Sequence, residues 1–281
     1  DTRIGLVGSE MCIRDRELGV RTISGLVFGA VVLGAYYLGG VPWFIVLALV
    51  AAIVSVEFYS LARHAGYRPV VVVGVVMVLA LVTQTFLELD LTWLIISLGI
   101  VTTVIWGYSL QTSSDSFIAD WASTFVGVMY AGGLMLHGIL LRDLPDGLAW
   151  GALAILGTWS CDIFAYLIGK AWGRHKFAPR VSPKKTWEGA IGGFVCSFGV
   201  VMLAAWILDF SLIPIIGLSL LIPLVTIAGD LTESMLKRSA GVKDTGNWIP
   251  GHGGLLDRLD SLIFVIPTVY YYAAYCVGAS T

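Results

Sequence analysis

Nine long apolar runs constrain this chain more than any other feature. They cover about residues 22–40, 42–62, 69–87, 91–109, 121–141, 148–168, 188–208, 212–229 and 261–278. Each lies near the roughly 20 residues a helix needs to cross a bilayer. None alternates with period two, so a membrane β-barrel is not expected. Helices satisfy their own backbone hydrogen bonds in hydrocarbon, and the runs therefore predict an all-α polytopic membrane protein of about nine transmembrane helices. Composition agrees. The 281 residues are 57% hydrophobic and 13% charged, against about one quarter charged in soluble domains, and the mean hydropathy is +0.86.

Loops rich in Lys and Arg stay on the cytoplasmic side. With the N-terminus inside, Arg142 is the one basic residue of 17 that falls in an outer loop, while Glu88, Asp90, Asp143, Asp146 and Asp209 gather there. This predicts a protein of a bacterial-type inner (plasma) membrane, with its N-terminus and polar site cytoplasmic and its C-terminus outside. Residues 1–16, DTRIGLVGSEMCIRDR, carry no secretory pattern and read as a non-native, adapter-derived tail, with a native start near Glu17. Residues 17–147 form an N-terminal membrane region of about five spans, and 148–281 a C-terminal catalytic region of about four. Cys12, Cys161, Cys196 and Cys276 show no paired spacing and are expected to be small buried hydrophobes.

Charge is scarce, yet the stretch KDTGNWIPGHGGLLDRLDS, Lys243 to Ser261, concentrates it directly before the last apolar run. Upstream lies GDLTESMLKRSAGV. If the eighth helix continues through it, Asp230, Glu233 and Lys237 share one face. Ionised groups at the bilayer centre cost about 2.5–3.5 kcal/mol each, so these side chains must face water, a metal or one another. The glycines between Gly246 and Gly254 prevent a regular helix and let backbone N–H groups approach an anion. Asp257 and Asp260 then stand three apart where a helix would start. Carboxylates arriving from two helix ends suit Mg²⁺, which binds one or two carboxylates together with phosphate oxygens and water. Lys237, Arg238, Lys243 and Arg258 would neutralise a polyphosphate. In VSPKKTWEGA, Ser182 reads as a helix N-cap with Pro183 at the first position. Lys184 and Lys185 there serve equally well as membrane anchors or as phosphate contacts. The pattern implies Mg²⁺-dependent phosphoryl or nucleotidyl transfer at the membrane surface.

The run SMLKRSAGVKDTGNWIPGHGGLLDRLDS resembles the signature of the phosphatidate cytidylyltransferases, or CDP-diacylglycerol synthases. That pattern is S-x-x-K-R-x4-K-D followed by H-G-G-x-x-D-R-x-D, and every position is filled here. WSCDIFAYLIGKAWGRHKFAP and SPKKTWEGAIGG are also similar to that family. The resemblance implies transfer of CMP from CTP to phosphatidic acid, with release of pyrophosphate. It implies Mg²⁺ as cofactor and, in some members, a monovalent cation such as K⁺. Its metal aspartates match Asp230 and Asp257, with Asp244 and Asp260 as neighbours. Asp230, Asp257, Asp260, Lys237 and Arg258 are then the catalytic set. Ser182, Lys184, Lys185, Thr186, Arg238, Lys243, Asp244, His252, Gly253, Gly254 and Asp162 are the implied substrate contacts. The phosphatidate phosphate would attack the α-phosphorus of CTP with no covalent enzyme intermediate, and His252 is expected to contact phosphate or hold structure rather than carry a proton.

Three other functions fit parts of the pattern. A CTP-dependent polyprenol or phytol kinase would release CDP. A cation-coupled transporter would place its charges at the bilayer midplane rather than at one face. A CDP-alcohol phosphotransferase would need a D-G-x-x-A-R pattern, which the sequence lacks. The bilayer is one partner, and no nucleic acid is expected. Gly25-x-x-x-Gly29 and Gly189-x-x-x-Gly193 allow close helix packing, within the chain or in a homodimer. Glu57, an acid inside the second span, calls for a partner or a cavity.

Overall fold

The computed structural model describes residues 24–90, 117–246 and 253–278, with positions 92, 96, 99, 100, 102–104 and 107 between the first two segments. The expected tail, the start near Glu17, His252 and much of the expected 91–109 span lie outside the described residues. Five helices are long and apolar enough to cross a membrane: α2 (Gly40–His64), α4 (Ile118–Asp143), α5 (Gly147–Trp172), α6 (Trp187–Ile207) and α7 (Leu212–Ser239). Shorter apolar helices are α1 (Ser24–Leu38), α3 (Val71–Phe86) and α9 (Leu262–Val277). One further helical turn, α8, spans Leu256–Leu259. The protein is an all-α integral membrane protein, its helices presenting large apolar side chains outward, among them Leu156, Trp159 and Ile163 on α5 and Ile191 and Val195 on α6.

Two large cores form among the described residues, one per half, with a small satellite at Met77, Leu81 and Val128. The first joins α1–α4 around residues such as Val54, Phe58, Tyr59 and Val78. The second joins α5–α7 and α9 around Trp150, Leu153, Leu218 and Val265. The halves are not independent, because Leu255 and Leu256 of the signature segment pack into the first core. Hydrogen bonds also cross within the bundle. Trp43 Nε1 donates to the Gly138 carbonyl at 2.8 Å, and Tyr59 Oη to that of Thr124 at 3.0 Å.

Small residues set the closest helix approach. A Cβ at Gly193 would lie 2.6 Å from the Cys161 carbonyl oxygen, and one at Gly189 would lie 2.7 Å from that of Ala165. The Gly189/Gly193 pair therefore serves packing of α6 on α5 inside the chain. Gly29 meets nothing within 4 Å among the described residues.

One expectation is overturned. Ser182 does not cap a helix: it begins strand β2 (Ser182–Thr186), paired antiparallel with β1 (Lys176–Ala178). Proline's fixed φ is tolerated on a short edge strand as readily as in a first helical turn. The helix starts five residues later, where Thr186 Oγ1 accepts the Gly189 N–H at 3.2 Å as its N-cap.

Candidate active site

The conditional reading of α7 holds: the helix runs unbroken to Ser239 and carries Asp230, Glu233 and Lys237. It packs against the start of α9 through Gly229, where a Cβ would come within 3.0 Å of both the Asp260 carbonyl oxygen and Ser261 Cα. Ser261 Oγ donates to the Thr226 carbonyl at 3.1 Å and fixes the contact. Asp230 and Asp260 are thereby brought to one place from separate elements.

That place is a hollow of about 490 Å³ walled by α5, the hairpin, α6 and α7, within the roughly 300–1,000 Å³ of small-molecule sites. Asp162, Asp230 and Asp260 line it with Lys170, Lys184, Lys185, Thr186 and Tyr166. Lys185 Nζ stands 2.5 Å from Asp230 Oδ2. The amine is nonetheless buried without an aligned hydrogen-bond acceptor. An ammonium carries three donors, so Lys185 can hold a ligand's anionic oxygen while it stays paired with Asp230.

Asp162, at a position where the family segment's spacing varies, thus faces the hollow. Lys170 and Tyr166 were not expected there. Tyr166 falls four and Lys170 eight residues after Asp162, on one face of α5, and this periodicity was the signal that could have found them. Lys170 Nζ lies 5.8 Å from the centre of the Tyr166 ring.

Asp257 lies beside the hollow rather than on its wall. Its Oδ1 accepts from Lys237 Nζ at 2.8 Å. Its Oδ2 accepts from Thr245 N at 2.9 Å and Gly254 N at 3.0 Å, with Thr245 Oγ1 also at 3.0 Å. Burial alone would raise this carboxyl, but hydrogen bonding with Glu233, Lys237 and the Thr245 N–H prevails and holds it at about 2. Lys237 also pairs with the fully buried Glu233 at 2.5 Å. Gly253 adopts φ +82°, and a side chain there would lie 3.2 Å from Asp257 Oδ2.

The remaining expected residues divide. Arg238 is engaged with backbone: its guanidinium donates to the Val181 carbonyl at 3.1 Å and the Val242 carbonyl at 3.4 Å, tying the hairpin turn to the end of α7. Ser182 pairs with Ala178 in the hairpin. Lys243, Asp244 and Arg258 are exposed. Glu188, next to the cap, accepts from His175 Nδ1 at 2.6 Å and steadies the hairpin base.

The carboxyl of Asp260 is pushed up to about 6 from 3.8, first by burial and then by the charge of Asp230. A folded-state value above the unfolded one means that ionisation costs stability as pH rises from about 4 to about 6, and the full cost persists above that. Without divalent cations, Asp260→Asn is expected to raise Tm by about 2–4 °C near neutral pH, a gain that fades towards pH 4. Thermal unfolding in detergent at the two pH values checks this. A lower Tm at neutral pH would contradict it.

Carboxylates and lysine amines facing one hollow at the ends of apolar helices form a candidate site for phosphorylated compounds in a membrane protein. Residues 19–276 match the Cytidylyltransferase family, and the chain belongs to it. It is 35% identical to a phosphatidate cytidylyltransferase of Synechocystis sp., over 90% of this chain and 95% of that protein. Enzymes of the same name from Brucella abortus and Staphylococcus aureus are 33% and 32% identical, over 92% and 88% of this chain and 94% and 96% of theirs.

Proposed function

We propose that this protein transfers CMP from CTP to phosphatidic acid, forming CDP-diacylglycerol and pyrophosphate for phospholipid synthesis. The observation that carries the reading is the hollow itself, where Lys185, paired with Asp230, stands with Lys184 and Lys170 among three aspartates. Family membership and the relatives' shared name support it.

The donor set fits Mg²⁺. Among the described residues no three His, Cys, Asp or Glu side chains form a ready-made ion cage. Mg²⁺ does not require one, since it takes one or two carboxylates and completes its shell with phosphate oxygens and water. Asp230, on the wall of the hollow, and Asp257, whose Oδ1 would exchange Lys237 for the ion, are the residues we propose to hold it, with Asp260 and Asp162 adding negative charge nearby. When bound, the cation would offset charge on the triphosphate as pyrophosphate departs. A monovalent cation such as K⁺ is a further proposal for the same acidic region.

The chain's own residues supply the rest. Lys184, Lys185 and Lys170 orient phosphate oxygens in the hollow, and Lys185 lowers the repulsion that Asp230 would otherwise exert on them. The phosphatidate phosphate is itself the nucleophile, so no side chain need form a covalent intermediate. Its acyl chains stay in the bilayer while its headgroup enters the hollow. The proposed orientation has about nine spans in a bacterial-type inner membrane, the hollow and N-terminus cytoplasmic and the C-terminus outside.

Membranes carrying the protein, given labelled CTP and phosphatidate, should yield labelled CDP-diacylglycerol and one pyrophosphate per turnover. Release of CDP would indicate a kinase instead, and no CTP turnover would remove the reading.

A further inference from the structure

Glu57 lies in α2, far from the signature segment in sequence, yet that segment closes around it. The side chain is 1% exposed. Its Oε1 accepts the Leu255 N–H at 2.9 Å, and its Oε2 accepts the Leu256 N–H at 2.7 Å. Thr245 Oγ1 lies 3.2 Å from Oε2 and also 3.0 Å from Asp257 Oδ2. One hydroxyl proton is thus shared between two carboxylates, one from each half of the molecule. Gly254 completes the junction: a Cβ there would fall 1.9 Å from Thr245 Oγ1 and 2.8 Å from Glu57 Oε1.

A buried acid in a membrane helix is costly unless fully paired. These donors answer it, two of them backbone amides with no partner inside the helical turn they begin. Without the carboxylate, Leu255 and Leu256 N–H would be buried and unmet, and the segment would have to move to find water. Asp257 follows those two residues directly, so its position depends on the same contact.

We propose that Glu57 is a positioning residue for the transfer reaction, a buried clamp through which the N-terminal helices hold the Gly254–Asp257 segment at the site. The inference rests on the proposed cytidylyl transfer for its activity readout, but its structural readout is independent. Among the described residues the hydrogen bonds to the Glu57 carboxylate come from Thr245, Leu255 and Leu256, so its effect should appear in the segment's amides and in turnover rather than in CTP affinity alone.

The test uses the full-length protein in detergent–phosphatidate micelles, comparing wild type with Glu57→Gln. An amide offers one acceptor where two donors converge. Hydrogen exchange at Leu255 and Leu256 should quicken about tenfold or more, consistent with losing a hydrogen bond to a charged acceptor. Exchange in α5 and α6 should not change, and kcat should fall by a similar factor. Glu57→Asp should recover part of both. Wild-type kcat in folded Glu57→Gln overturns the proposal, as does lost activity without faster exchange at 255–256. If Glu57→Gln does not assemble, Thr245→Val is read in its place: faster exchange with lower kcat supports the clamp, and no change in either removes it. A wild-type protein that makes no CDP-diacylglycerol would defeat the functional reading instead, while the exchange result would still judge the clamp.

Discussion

Asp257→Asn is expected to lose at least about a hundredfold in turnover, because both carboxylate oxygens are in use. Oδ1 receives Lys237, and Oδ2 receives two backbone N–H groups and the Thr245 hydroxyl. An asparagine amide must turn its NH₂ towards one of these sets, placing donor against donor. Breaking a buried charged pair in this way costs about 3–5 kcal/mol, enough to release the segment even where the helices stay folded. With its carboxyl held at about 2, Asp257 is ionised throughout any practical assay range. The defect should therefore be the same at pH 6 and pH 8, and added Mg²⁺ should not restore wild-type turnover. Steady-state CDP-diacylglycerol formation at both pH values checks this. A variant with near wild-type rates would remove Asp257 from the site.

Asp230→Asn is expected to be the second large loss, by a different route. Asp230 sits on the wall of the hollow beside Lys185 and Asp260, and α7 is continuous through it. Its charge is paired with Lys185, but both side chains are partly open to the hollow (26% and 30% exposed for Lys185 and Asp230), so the fold depends on this pair less than on the one between Lys237 and Asp257. Removing one of the groups that place charge at a reacting phosphate costs about 10²–10³ in rate, with thermal stability retained. Asp257→Asn should thus lower both activity and segment order, and Asp230→Asn activity alone. Parallel Tm and rate measurements separate the two.

Much of this was legible beforehand, for reasons that differ by residue. The helices were readable because hydrocarbon admits few other structures. The face shared by Asp230, Glu233 and Lys237 followed from the helical period once α7 was allowed past Gly229. The hairpin was not readable. Ser182–Pro183 fits a helix start as well as an edge strand, and what decides is pairing with Lys176–Ala178, a contact outside the local pattern. Tyr166 and Lys170 could have been found from Asp162 by counting turns along α5. The partners of Glu57 could not, since its hydrogen bonds span 188 to 199 residues and two of the donors are backbone amides that any residue possesses. The aspartates themselves were evident, but which of them face the hollow was decided by Gly229 and by the donors that claim Asp257.

We propose that carboxylates from α7 and α8 act together at one divalent cation beside the hairpin lysines. Titrating Mn²⁺ into the purified protein with CTP present, and following the free-ion EPR signal, measures that cation directly. Wild type should take up the ion at one site per chain that needs CTP, and both Asp230→Asn and Asp257→Asn should weaken it about tenfold or more. Unchanged Mn²⁺ affinity in folded Asp230→Asn would contradict the account.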